Sequence, residues 1–165
     1  MRRVLGDLTA GDVMRVDVAA IPEDLPLRAA ARLMAECGTC AVPVTDARGR
    51  CVGLLLASHV LRSVAGGDGT GSDAACYWTE WQMGSRDGAS EVHRRMIAPP
   101  PVVATDAPLH KAARQLISLR AAVVVDRHHR PVGVLTPADV LAAAAAPPAE
   151  ANGRAAPAHG ETLGV

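Results

Sequence analysis

Apolar residues recur at helical spacing in two segments of the chain. The apolar positions are Leu27, Ala30, Ala31 and Met34 in the first segment and Leu109, Ala112, Ala113 and Leu116 in the second. Positions i, i+3, i+4 and i+7 lie on one face of an α-helix, so each segment predicts an amphipathic helix. Asp24 and Asp106 come two residues before a proline at the start of these helices, and we expect both aspartates to be N-caps.

The same succession of elements surrounds each helix. An apolar strand ending in Asp46 or Asp126 follows the helix, and a polar turn leads into a second apolar strand that carries Gly53 or Gly133. We also predict extended segments at 16–21 and 102–104, lead-in helices at 10–14 and 91–96, and closing helices at about 58–64 and 137–146. A unit of this size rarely buries its own apolar face, so the pattern predicts an α+β fold of two tandem βαββα repeats packed together.

The repeats divide the chain into two structural units and two other segments. We place the first repeat at 8–65, a linker or insertion at 66–92, the second repeat at 93–146 and a disordered tail at 147–165. The linker begins rich in glycine and then holds all the aromatic residues of the protein, Tyr77, Trp78 and Trp81. The two tryptophans are spaced i, i+3, so one helical turn would place them on one side, where they either pack back on the protein or dock a partner.

Composition narrows the possible functions. Lys+Arg and Asp+Glu both number 17, so the formal net charge is zero, and no basic stripe indicates nucleic-acid binding. Apolar residues make up 49% of the chain, and because Phe is absent, Ala, Val and Leu must fill the core. No apolar run is long enough to span a membrane, and the start of the chain lacks the apolar region of a secretory signal, so we expect a cytoplasmic protein.

The cysteines offer a separate hypothesis. All four, Cys37, Cys40, Cys51 and Cys76, are expected to be free thiols in the cytoplasm. Cys37 and Cys40 form a CxxC pair, which occurs at zinc and redox sites. The sequence lacks the second ligand pair that zinc needs, and this pair follows a helix and leads into a strand, the reverse of the redox setting. A thiol or zinc protein is therefore our third hypothesis.

The start of the last helix carries the clearest candidate chemistry. The chain runs from an apolar strand with Gly133 into Thr136, Pro137 and Asp139. Thr136 suits an N-cap, Pro137 the first helical position, and Asp139 the partner in a capping pair. A hydroxyl, a carboxylate and free backbone N–H groups at a helix N-terminus also suit a ribose and a phosphate.

With these motifs the chain resembles a tandem pair of cystathionine-β-synthase-type (CBS) domains over about residues 8–146. The resemblance is carried by Pro-Val-x-Asp on the middle strand, at Pro43 to Asp46, and by Gly-h-h-Thr-x-x-Asp before the last helix, at Gly133 to Asp139. It implies a pseudo-twofold CBS pair, or Bateman module, with two clefts. Such clefts take AMP, ADP, ATP, an adenosyl derivative or NAD, and the modules often form disc-shaped homodimers.

The resemblance also implies roles for residues of the second repeat. Asp139 is expected to accept hydrogen bonds from the ribose hydroxyls, Thr136 to bond the ribose or phosphate, and Arg120 to reach a phosphate. The residues expected to border the base are Val102, Val103, Ala121 and Ala122. Together they would form an apolar slot for a purine, with a carboxylate for the diol and donors for the anion.

The first repeat departs from this motif. Leu56 stands where the threonine belongs and His59 where the aspartate belongs. Neither residue replaces the lost ribose contacts, so we expect the first cleft to be empty or to bind something else. His59 is expected to be a first-turn helix residue at the surface.

These observations leave a binding module as the leading hypothesis. The sequence holds no paired carboxylates at a strand end, no patterned nucleophile and base, and no phosphate loop, so we expect no enzyme. We expect a regulatory module that needs no cofactor, senses an adenosine nucleotide in the second-repeat cleft, and signals through a dimer mate or an effector protein. The alternative is a constitutive dimerisation scaffold, in which Thr136 and Asp139 only cap a helix.

Overall fold

The computed structural model describes residues 7–64 and 91–145. The predicted aromatic segment with Tyr77, Trp78 and Trp81, the thiol of Cys76 and the predicted disordered tail all lie outside these residues. The described part contains two units with the same order of elements, which confirms the predicted α+β fold of tandem repeats.

The elements follow the predicted order in both units. The first unit contains α1 (Ala10–Val13), β1 (Ile21–Pro22), α2 (Leu27–Glu36), β2 (Ala41–Thr45), β3 (Cys51–Leu56) and α3 (Ala57–Val64). The second unit contains a 3₁₀ helix (Val92–Arg94), β4 (Val102–Ala104), α4 (Leu109–Leu116), β5 (Ala122–Val125), β6 (Pro131–Leu135) and α5 (Pro137–Ala145).

Each unit has a three-stranded sheet, in the order β1-β2-β3 or β4-β5-β6. The first two strands of each sheet are parallel and the last two are antiparallel. The tight turn between the antiparallel strands is closed by the aspartate that directly follows the middle strand. Asp46 Oδ1 accepts hydrogen bonds from Arg48 N and Arg50 N, both at 2.9 Å, and Asp126 closes the second turn in the same way. These donors, first the N–H groups of Arg50 and Arg130, hold the pKa of both carboxyls below the ordinary value.

The segment that leads into each repeat packs on the other repeat. Arg15 N donates to Val134 O at 2.9 Å, and Val134 N donates back to Arg15 O at 3.0 Å. Leu54 and Ile97 make the equivalent pair, with N–O distances of 3.1 and 2.8 Å. Leu8 and Ala10 accordingly lie in the core of the second repeat, and Val92 in that of the first. This exchange of lead-in segments joins the two repeats.

A third apolar cluster lies between the repeats. It joins buried residues of both sheets: Ala41, Cys51, Leu54 and Leu56 from the first repeat, and Ala121, Val123, Val125 and Val134 from the second. These side chains are small or aliphatic, so the two sheets contact each other without aromatic residues. The predicted packing of one repeat on the other is therefore observed as a shared core.

Three local predictions need correction. Asp24 and Asp106 are not N-caps, because α2 and α4 begin two residues later than predicted and Pro26 and Pro108 occupy the cap position. The carbonyl of Pro26 accepts the first helical hydrogen bonds, from Ala29 N and Ala30 N. Of the segment predicted to be extended at 16–21, only Ile21 lies in the sheet, in β1, and Arg15 just before the segment pairs with the other repeat. The second lead-in helix is a 3₁₀ helix of three residues.

Candidate functional site

The predicted capping pair forms at the start of α5. Thr136 N and Thr136 Oγ1 both donate to Asp139 Oδ2, at 2.8 and 2.6 Å, and Asp139 N lies 3.3 Å from Thr136 Oγ1. Both residues are half-buried. Asp139 Oδ1 has no hydrogen-bond partner among residues 7–64 and 91–145, so one carboxylate oxygen is left to accept other donors.

A cavity of about 590 Å³ lies between the repeats at the starts of α3 and α5. Four of its wall residues from the first repeat have their repeat equivalents in the same wall: Cys40 with Arg120, Leu56 with Thr136, Ala57 with Pro137, and Ser58 with Ala138. A cavity lined by equivalent residues crosses the pseudo-twofold axis, so any molecule in it would contact both repeats. Its size is within the range of small-molecule sites.

The remaining wall residues come mainly from the first half of the chain. They are Arg15, Val18, Gly38, Thr39, Ala41 and Leu61, together with Val134 from β6. Arg15 and Val18 reach the cavity because the lead-in segment of the first repeat crosses to the second. Sequence reasoning missed these residues. Aligning the repeats would have found Cys40 as the equivalent of Arg120, but no local signal marks Arg15 or Val18.

The predicted site residues are only partly brought together. Arg120 and Thr136 line the cavity, whereas Asp139, Val102, Val103, Ala121 and Ala122 are not in its wall. Val103, Ala121 and Ala122 are buried, with exposed fractions of 5%, 2% and 0%. Ala41, the first-repeat equivalent of Ala121, lines the cavity, whereas Ala121 does not. The open space therefore extends toward the first repeat.

The wall of the cavity carries positive charge. Among the described residues that line it, Arg15 and Arg120 are the charged ones and none is a carboxylate. Both side chains are exposed, and Arg15 Nε lies 4.0 Å from Asp17 Oδ1, the limit of an ion pair. Thr39, Ser58 and Thr136 add hydroxyl groups, while Val18, Leu56 and Leu61 add apolar surface. Such a wall suits an anionic molecule with an apolar part.

The first repeat lacks the polar pair that begins α5. Leu56 is 8% exposed and belongs to the shared core. His59 is half-buried rather than at the surface, and its Nδ1 is buried without a hydrogen-bond partner in the described part of the chain. The pKa of His59 is lowered, chiefly because burial disfavours the imidazolium and also because Arg62 repels it. His59 does not line the cavity.

A second, larger cavity lies at the other end of the second sheet. It has a volume of about 870 Å³, and its carboxylates are Asp7, Asp12, Asp106 and Asp126. Asp12 already accepts hydrogen bonds from Thr9, and Asp126 from the turn N–H groups. Asp12 and Asp126 therefore serve local structure.

The described residues contain no group of His, Cys, Asp and Glu side chains placed to hold a metal ion. Cys37 and Cys40 are exposed free thiols, and Cys51 is a buried one. Burial raises the pKa of Cys51 to about 11. Among the helices that the structure describes, none has the length and apolar character needed to cross a membrane.

Comparison with known proteins identifies relatives of this fold. The family model of the CBS domain matches residues 10–66 and 89–146. The crystal structure of the CBS-pair protein CBSX2 from Arabidopsis thaliana is similar, with 25% identity, a TM-score of 0.66, and coverage of 82% of this chain and 93% of that chain. A structure of CBSX2 in complex with AMP is also similar, with 26% identity, a TM-score of 0.63, and coverage of 82% and 95%.

A bacterial structure extends the comparison. A CBS domain-containing protein of unknown function from Bacillus anthracis shares 20% identity and has a TM-score of 0.68, with coverage of 84% of this chain and 93% of that chain. No curated protein sequence matches this chain.

Proposed function

Because the chain belongs to the CBS domain family, we propose that it is a non-enzymatic regulatory module that binds an adenosine nucleotide between its two CBS domains. AMP, ADP and ATP are the expected ligands, and the module requires no cofactor. The crystal structure of the related CBSX2 in complex with AMP supports this ligand class.

The observation that carries the proposal is the cavity that crosses the pseudo-twofold axis with Thr136 and Arg120 in its wall. Thr136 supplies a hydroxyl and Arg120 a guanidinium, which suit the ribose and phosphate of a nucleotide. Asp139 adjoins Thr136 and keeps Oδ1 available to accept a donor. We propose that Asp139 accepts hydrogen bonds from the ribose, and that Val102, Val103, Ala121 and Ala122 border the base.

Regulation follows from the position of the cavity. A ligand that contacts Leu56 to Ser58 of one repeat and Thr136 to Ala138 of the other favours one relative arrangement of the repeats. It changes that arrangement only by its differential affinity for the two states. We propose that a second copy of the chain, in a cytoplasmic homodimer, or an effector protein responds to the change.

A thermal-shift screen with AMP, ADP, ATP, NAD and S-adenosylmethionine tests the proposal. We expect at least one adenosine nucleotide to raise the melting temperature, because ligand binding stabilises the native state. In Asp139→Ala the shift should disappear, and circular dichroism of this variant without ligand controls for folding. A protein that no adenosine compound stabilises would contradict the proposal.

The screen also tests the scaffold alternative. The closed hydrogen bonding between Thr136 and Asp139 favours that alternative, since the pair caps α5 without any ligand. A scaffold would remain a dimer in size-exclusion chromatography with light scattering, and no nucleotide would move its melting temperature.

A further inference from the structure

Two exposed thiols lie on the turn between α2 and β2. Cys37 and Cys40 are both free and exposed. Thr39 N donates to Met34 O at 3.0 Å, which closes the end of α2. Gly38 has a φ of 60°, so the chain changes direction directly after Cys37. The two thiols therefore share one short turn whose backbone is fixed at the helix end.

The same turn forms part of the wall of the cavity between the repeats. Gly38, Thr39 and Cys40 line this cavity, whereas Cys37 does not. Ala57 N donates to Cys40 O at 2.8 Å, which ties the end of the turn to the start of α3. One thiol of the pair therefore belongs to the cavity wall, and the other lies on the exposed surface outside it.

The second repeat builds the equivalent turn without thiols. Ile117 is the C-cap residue of α4 as Cys37 is the C-cap residue of α2, and Arg120 is the equivalent of Cys40. Both turns show the same succession of backbone conformations between the helix and the next strand. The fold therefore does not require cysteines in this turn, and their chemistry is an additional property of the first repeat.

The charge of the cavity wall favours reaction of Cys40 with an anionic disulfide. Arg15 and Arg120 line the same cavity as Cys40, and none of the described residues that line it is a carboxylate. Glutathione disulfide has a net negative charge at neutral pH, so this wall raises its local concentration. Cys51 is only 4% exposed and lies in the shared core, where this reagent does not reach it.

We propose that Cys37 and Cys40 are a redox-modification site, which a small-molecule disulfide oxidises to an intramolecular disulfide. The thiolate of Cys40 attacks one sulfur of glutathione disulfide, forming a mixed disulfide and releasing one glutathione. The thiolate of Cys37 then attacks the Cys40 sulfur, forming the bond between the two cysteines and releasing the second glutathione. The two protons leave on the two glutathione thiols, so the cysteines are oxidised and glutathione disulfide is reduced.

The cross-link acts on the cavity through the backbone of the turn. It joins the last position of α2 to the residue before β2, and it thereby fixes the part of the wall that the turn contributes. The pair follows a helix instead of preceding one, so it lacks the setting of the thiol pair in thioredoxin-like enzymes and is a target of oxidation, not a catalyst of it. The inference goes beyond the proposed function, because the reaction needs no nucleotide.

The first test follows oxidation of the full chain by mass spectrometry. Cys76→Ser is the reference protein, because it removes the thiol that lies outside the described residues. After incubation with glutathione disulfide, we expect this protein to become two hydrogen atoms lighter, with both cysteines of the pair joined in the tryptic peptide 33–48. Dithiothreitol should restore the original mass, and Cys51 should stay reduced until the protein is unfolded.

The second test separates the roles of the two thiols in variants that all carry Cys76→Ser. Cys37→Ser should accumulate the mixed disulfide at Cys40, and Cys40→Ser should form it at Cys37 at least about threefold more slowly. Adding Arg120→Gln to Cys37→Ser should slow the reaction with glutathione disulfide by about the same factor, but not the reaction with the neutral disulfide of 2-mercaptoethanol. Arg127→Gln, the same change of charge on the exposed turn after β5, should leave both rates unchanged.

Four results would overturn the inference. They are a mixed disulfide that persists in Cys76→Ser, a disulfide that joins two copies of the chain, oxidation of Cys51 as fast as that of the pair, and no reaction at either exposed thiol. Equal rates for Cys37→Ser and Cys40→Ser would overturn the assignment of Cys40 as the attacking thiol. None of these results bears on nucleotide binding, so the thermal-shift screen tests the proposed function separately.

Discussion

The two repeats differ most where their closing helices begin. At α5, Thr136 and Asp139 bond to each other and leave one carboxylate oxygen open. At α3, the equivalent Leu56 is buried in the shared core, and His59 holds a buried nitrogen without a described partner. One helix start therefore presents polar groups and the other an apolar wall, although both occupy the same place in the fold. The cavity between the two helix starts is therefore lined by a polar residue, Thr136, at α5 and by an apolar residue, Leu56, at the equivalent position of α3.

The first comparison asks whether the two repeats unfold separately or in one cooperative transition. Leu55 and Leu135 are equivalent residues of β3 and β6, and both are fully buried. We expect Leu55→Ala and Leu135→Ala each to lower the free energy of unfolding by about 2–5 kcal/mol. Because the lead-in segments cross and the sheets share a core, each variant should still unfold in a single transition in urea. Leu141→Ala, at a residue that is 68% exposed, is the control. Two separate transitions would contradict a shared core.

The second comparison is between the glycines of the equivalent strands. A methyl group at Gly133 would lie 2.7 Å from Arg15 O and 2.7 Å from Met14 Sδ, whereas at Gly53 its nearest contacts are all in the Met96 side chain. A methionine side chain can move, but the carbonyl of Arg15 is fixed by its pairing with Val134. We expect Gly133→Ala to destabilise the protein by about 1–3 kcal/mol and Gly53→Ala by less. Equal losses in denaturant titrations would mean that the two lead-in segments are equally rigid.

Local patterns predicted the elements better than the contacts between them. Thr136 and Asp139 were predicted correctly as a capping pair because all the atoms involved lie within one helical turn. Asp24 and Asp106 were predicted wrongly as caps, since a proline can itself occupy the cap position and supply only its carbonyl. The cavity wall at Arg15 and Val18 was not predictable, because it depends on a crossing between distant parts of the chain.

The third comparison is between Asp139 and His59. Asp139→Ala removes the acceptor of two hydrogen bonds at the start of α5, and we expect it to cost about 1 kcal/mol of stability. His59→Ala removes the contact with the backbone of Arg95 but also the buried Nδ1 that has no described partner, so its loss should cost less than the loss of Asp139. Thermal unfolding of both variants measures the difference. If His59→Ala proved the more damaging, His59 would have a structural role that its contacts do not account for.

The smallest expected effect is the pH dependence of stability that His59 contributes at the start of α3. The pKa of His59 is lowered in the folded protein, mainly by burial and also by Arg62, although the carbonyl of Arg95 acts in the opposite direction. The unfolded chain therefore binds a proton at a higher pH than the folded protein does. As pH falls through the unfolded pKa of about 6.5, stability should decrease until the folded pKa is passed.

This pH dependence can be assigned to His59 by difference. The wild type and His59→Ala should be unfolded in urea at several pH values between 7.5 and 5, where the turn carboxyls of Asp46 and Asp126 stay ionised because their pKa values are lowered. We expect the wild type to lose more stability than the variant over this range. Every group other than His59 is the same in both proteins, so its contribution cancels in the difference. Parallel curves would show that protonation of His59 does not distinguish the two helix starts, and the difference between the repeats would then lie in the capping pair alone.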